Sequence, residues 1–154
     1  MTTRGLAVMA TALEVTAGAA LIACPSVFVL LLLGATISGS GIAVARVGGF
    51  GLLSLGLACW PIGKVLTAPA ASALLTYNAL AALYFGYLRV DGGFTGYLLW
   101  PACAIHASMA LLLAYPAYQA VRREWPGVRL PVVATQVVSE TGSGSPENAK
   151  TKAG

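Results

Sequence analysis

Leu6-Ala7-Val8-Met9-Ala10-Thr11-Ala12-Leu13-Glu14-Val15-Thr16-Ala17-Gly18-Ala19-Ala20-Leu21-Ile22-Ala23-Cys24 is an almost unbroken apolar run interrupted by one carboxylate, Glu14. At about 1.5 Å of rise per residue, a helix of this length matches a hydrocarbon core of about 30 Å. Three further stretches of the same kind follow at roughly 42–62, 67–88 and 94–117, so four apolar segments fill most of the 154-residue chain. The solvent implied by this pattern is lipid.

Composition leads to the same place by a separate route. Hydrophobic residues make up 58% of the chain, charged residues 9%, and mean hydropathy is +0.81. Soluble domains carry about 25% charged residues, and a fold of this size could not cover its surface with so few. The length allows one compact bundle with no soluble catalytic domain beside it. The formal charge of +4 comes from nine scattered Lys and Arg that mostly flank apolar runs, so no nucleic-acid partner is expected.

Those flanking charges predict an orientation. Arg4, Lys64, Arg122, Arg123, Arg129, Lys150 and Lys152 fall on one side, against Arg46 and Arg89 on the other. The bias of Lys and Arg towards the cytoplasm then places both termini inside. Tyr84, Tyr87, Tyr97 and Trp100 gather near the outer interface, and Trp60, Tyr115, Tyr118 and Trp125 near the inner one, as amphipathic rings do. Short turns at Pro61-Ile62-Gly63-Lys64 and Asp91-Gly92-Gly93 make neighbouring helices antiparallel. The expected fold is all-α, a four-helix transmembrane bundle of up-down topology.

Prolines punctuate it. Pro69 suits the first turn of the third span, Pro101 is expected about two turns into the fourth and to kink it, and Pro116 lies near its inner end. The segment 25–41 is too short to span alone. Pro25 ends the first helix or opens a new one, which predicts a short interfacial or re-entrant helix on the outer face followed by a Gly/Ser turn; the alternative is one long kinked helix over 6–33. Residues 1–125 form the transmembrane domain, and 126–154, thinly apolar and then rich in Gly, Ser and charge, read as a disordered cytoplasmic tail.

Polar groups in hydrocarbon are costly, so each is a functional candidate. Glu14 and His106 both fall towards mid-bilayer, Asn78 lies midway along the third span, and Arg46 sits near the outer end of the second. One such position per helix predicts a shared buried network of Glu14, Arg46, Asn78 and His106. Its bland reading is interhelical glue, at roughly 0.6 to 2 kcal/mol per contact, and a further alternative is no network at all, with Arg46 and Asn78 snorkelling or bonding to backbone. The sharper reading is a ligand-contacting or proton-accepting site built from Glu14 and His106. Small residues, Ala17 to Ala20 on the first span and Ala45, Gly48, Gly49, Gly51 and Gly56 on the second, predict close helix packing.

Cys24, Cys59 and Cys103 stand apart in sequence and read as isolated thiols, although Cys24 and Cys103 share the outer half of the bundle. Leu21-Ile22-Ala23-Cys24 resembles a lipoprotein cleavage box; Glu14, Pro25 and the apolar chain that follows argue against cleavage there. There is no Gly-rich phosphate loop, no pairing of nucleophile with base, and one histidine cannot build a metal cluster, so a conventional enzyme is not expected.

The acid in the first span, together with Ala45-Arg46-Val47-Gly48-Gly49 leading to Leu55-Gly56-Leu57, resembles the small bacterial DoxX-like membrane proteins over roughly residues 5–120. That resemblance implies the bacterial inner membrane and a broad group that includes quinone-linked oxidoreductase subunits; it identifies no cofactor and no catalytic residue. Two functions follow as expectations: a non-enzymatic accessory or structural subunit of a larger membrane complex or homo-oligomer, or a protein binding a quinone or lipid near Glu14, Asn78 and His106. A small transporter is a third, if the chain oligomerises.

Overall fold

Pro25 decides where the first helix stops, because a proline inside it would leave the Leu21 carbonyl without its amide partner. The computed structural model describes residues 2–62 and 66–124, and over these the chain is all-helical. Helix α1 spans Thr3–Ala23, capped at its start by the Thr2 hydroxyl, which accepts from Gly5 N at 3.2 Å. Cys24 then leaves helical geometry (φ −133°, ψ 60°) and Pro25 opens a separate nine-residue helix, α2 (Pro25–Leu33), ended by Gly34 at φ 73°. The short helix expected after the first span is present, and the single long kinked helix is not.

Helix α3 covers Ser40–Ala58, α4 Ala68–Val90 and α5 Leu99–Glu124. The expected fourth segment, 94–117, is therefore displaced towards the C-terminus. Gly93 takes a left-handed φ of 68°, and the Leu98 amide donates to Leu31 O at 2.9 Å, on α2, so residues 94–98 belong to a connection and not to the helix. Pro101 consequently falls in the first turn of α5, where no intrahelical amide bond is lost, and the kink expected of it has no cause. Pro116 is inside α5, which continues for two turns beyond it. The expected tail 126–154, Lys64 and Trp125 lie outside the described residues.

Small and polar residues share the interior with leucines: Ala7, Ala10, Thr11, Glu14, Ala71, Asn78, His106, Ala117 and Ala120 are buried beside Leu6, Leu74, Leu99 and Leu113, while many large apolar side chains face outward. Outward on α3 stand Val44, Val47, Phe50 and Leu57, while its buried residues are Gly49 and Gly56. Hydrophobic burial from water cannot drive such an arrangement, whereas in lipid close packing and polar contacts can. Helices α1, α3 and α5 are long and apolar enough to cross a membrane. Helix α4 has the length, 23 residues, but Ser72, Thr76, Tyr77 and Asn78 interrupt its apolar run and it is not among these three.

Packing falls into two pairs. On α1 and α3, Gly18 meets Leu53 and Gly49, while Gly56 meets Thr11 and Val15, so the two helices run antiparallel through a glycine seam. On α4 and α5, Cys103 Sγ reaches Ala82 O at 3.4 Å and, at the far end, Glu124 Oε1 accepts from Ala68 N at 2.9 Å. The pairs meet through two apolar clusters, one joining Ala7, Ala71 and Ala117, the other Ala10, Leu74 and Leu113.

The Glu124 contact satisfies the first orphan amide of α4 at the end where the helix dipole favours an anion. Glu124→Ala is expected to cost about 1 kcal/mol, the usual value of a lost N-terminal cap, read as a lowered midpoint in detergent unfolding. Glu124→Asp, too short to reach, should behave like the alanine variant.

Candidate functional site

Antiparallel α4 and α5, with α1 laid against both, bring three of the four expected polar residues to one level. Asn78 donates from Nδ2 to Leu74 O at 2.9 Å, the carbonyl one turn earlier in its own helix. Its Oδ1 faces His106 Nδ1 at 2.8 Å, a buried contact between α4 and α5. Glu14 is wholly buried, and neither of its carboxylate oxygens has a hydrogen-bond partner. Asn78 and Tyr77 are the side chains beside that carboxyl, close enough to interact without completing a bond. Asn78 thus stands between Glu14 and His106.

Arg46 is elsewhere. Its side chain is exposed on α3, and Glu14, which it was expected to approach, has no partner from it. The face of α3 that meets α1 carries Gly49 and Gly56, and the face bearing Arg46 turns outward. In its place the structure brings Tyr77, whose ring meets His106 edge-on with centroids 5.7 Å apart, and Phe85, 5.5 Å from the same imidazole. Tyr77 precedes Asn78 in sequence and Phe85 lies two turns along α4, so the spacing from Asn78 was the available signal.

Next to this cluster is a cavity of about 280 Å³. Leu13, Ala17 and Leu21 of α1 form one wall, Phe28 and Leu32 of α2 a second, and Ile105 and His106 of α5 a third, with Tyr77 and Phe85 between. Sites for small molecules are mostly apolar hollows of about 300 to 1,000 Å³ with a few convergent polar groups, and this one falls just under that range. The short helix α2 supplies one wall through Phe28 and Leu32, which gives that helix a role beyond linking α1 to α3. A second recess of about 270 Å³, beside Tyr115, Gln119 and Arg123, has polar groups already engaged with one another: Gln119 Nε2 donates to Tyr115 Oη at 2.7 Å.

Among the described residues no group of three or more His, Cys, Asp or Glu side chains is placed to hold a metal ion. Cys24, Cys59 and Cys103 are free thiols. The chain finds no match among known protein families, curated proteins or solved structures.

Proposed function

We propose that this chain is a polytopic membrane protein that holds a lipophilic small molecule, a quinone or a lipid, in the cavity beside His106. The observation that carries the reading is the apolar cavity lying beside the buried polar side chains Glu14, Asn78 and His106. A packing role alone calls for satisfied polar groups, whereas Glu14 keeps two unpartnered oxygens next to Tyr77, a wall residue.

In this reading α1, α3, α4 and α5 cross the bilayer up and down, with both termini cytoplasmic and α2 packed near the outer interface. The exposed aromatic residues support it: Tyr84, Tyr87, Tyr97 and Trp100 lie at one end, Trp60, Tyr115 and Tyr118 at the other. The bacterial inner membrane and a place among DoxX-like proteins accord with the same picture. The accessory-subunit and transporter readings lean on exposed apolar faces, which lipid alone covers equally well.

Native mass spectrometry of the protein released from mild detergent tests the proposal. A small apolar molecule should stay bound to the wild type and be lost, with affinity about tenfold weaker or worse, from His106→Ala. A wild-type protein that retains nothing, and that takes up neither quinone nor lipid saturably, defeats it.

A further inference from the structure

Asn78 fixes which nitrogen of His106 carries the proton. Its Nδ2 is committed to Leu74 O at 2.9 Å, so the amide cannot turn over, and Oδ1 is the atom offered to His106 Nδ1 at 2.8 Å. A carbonyl oxygen only accepts, so Nδ1 is the donor. In the neutral ring the other nitrogen, Nε2, is then a bare lone pair, since the hydrogen bond made by one ring nitrogen sets the state of the other.

Thr16 and Tyr77 are the other polar side chains of the wall. Of the polar residues in the wall, Thr16 donates its hydroxyl to Ala12 O at 2.7 Å and Tyr77 sits against the Glu14 carboxyl, while Nε2 of His106 has no partner among the described residues. His106 is 8% exposed, so the vacant acceptor belongs to a side chain more than nine-tenths buried in the cavity wall.

Resting on the ligand-binding reading above, we infer that the cavity selects an apolar molecule whose head carries a hydroxyl group, donated to His106 Nε2. A ketone, ether or ester oxygen at that point would set lone pair against lone pair, and a desolvated acceptor left unpaired is costly. The chemistry is that of an alcohol O–H, which an alkyl alcohol and a hydroquinone both supply.

Two measurements test this on the full-length protein in lipid nanodiscs. His106 is the sole histidine of the chain, so 15N-histidine labelling reports its ring without assignment. The expected spectrum is that of a neutral imidazole protonated at Nδ1, with the Nε2 resonance moving on addition of a long-chain alcohol. Binding is then compared within two probe sets: a tetradecyl alcohol against its methyl ether and aldehyde, and a decyl hydroquinone against its dimethyl ether and quinone. In at least one set the hydroxyl compound should bind about tenfold more tightly than its partners, and which set does so assigns the source. In His106→Gln, whose amide both donates and accepts, the preference should fall towards unity; Asn78→Leu should do the same by releasing the tautomer. If ethers or carbonyl compounds bind as tightly as the hydroxyl compounds, or if the free protein carries its proton on Nε2, the hydroxyl preference is wrong while ligand binding stands. If no member of either set binds saturably, the ligand-binding reading fails with it.

Discussion

A single methyl group added at Gly96 is expected to lower stability by about 3 kcal/mol, at the top of the range for overpacking a close contact, and to abolish ligand retention. The Cβ of Gly96→Ala would fall inside contact distance of the Leu32 carbonyl oxygen and carbon, and 2.6 Å from Leu33 N. All three are backbone atoms of α2, so no rotamer change relieves the overlap. Helix α2 must lift away, and the Leu98 N to Leu31 O bond goes with it. Because Phe28 and Leu32 wall the cavity, its outer side opens at the same time. Gly48→Ala is the control: a methyl there meets nothing within 4 Å on a helical residue, and alanine is the better helix former. Melting in detergent should separate the two by many degrees, and equal midpoints would mean that α2 does not rest on residue 96.

The second large effect is expected at Gly18, where α1 and α3 touch. A Cβ at this position lies 2.6 Å from Leu53 N and 2.8 Å from Gly49 O, so Gly18→Leu forces the helix axes apart along the seam that also contains Gly49 and Gly56. The expected cost is about 2 to 3 kcal/mol. Cys59 supplies a readout, since it is buried where α3 ends. Maleimide should modify it slowly in the wild type and rapidly in Gly18→Leu, whereas exposed Cys24 should react alike in both. Unchanged Cys59 protection in the variant would show that the seam tolerates side chains.

The sequence made some of this visible and hid the rest for identifiable reasons. Helices were legible because the apolar runs are long, and the break before α2 because proline cannot donate. The glycine seam was legible as a density of small residues. What lay hidden was direction. In a chain whose outward faces are as apolar as its interior, hydrophobic periodicity no longer says which side of a helix turns inward. Arg46 was therefore expected within reach of Glu14, although the Gly49 and Gly56 face of α3 turns it away. The start of α5 is displaced because Gly96 packs against the Leu32 backbone and Leu31, distant in sequence, holds the Leu98 amide, which keeps residues 94–98 out of the helix. The cavity depends on that same distant contact, so only the folded chain reveals it.

The division into two tightly matched hairpins, α1 with α3 and α4 with α5, bears on how the protein is made. Each hairpin completes its own seam from residues close together in the chain, so a ribosome could deliver the first in finished form before the second emerges. Glu14 would then wait, facing bare lipid, until Asn78 and His106 arrive. Expressed as separate fragments 1–62 and 66–154, the halves should find each other through the Ala7, Ala71, Ala117 and Ala10, Leu74, Leu113 contacts, which set Glu14 beside Asn78 and turn two insertions into one molecule.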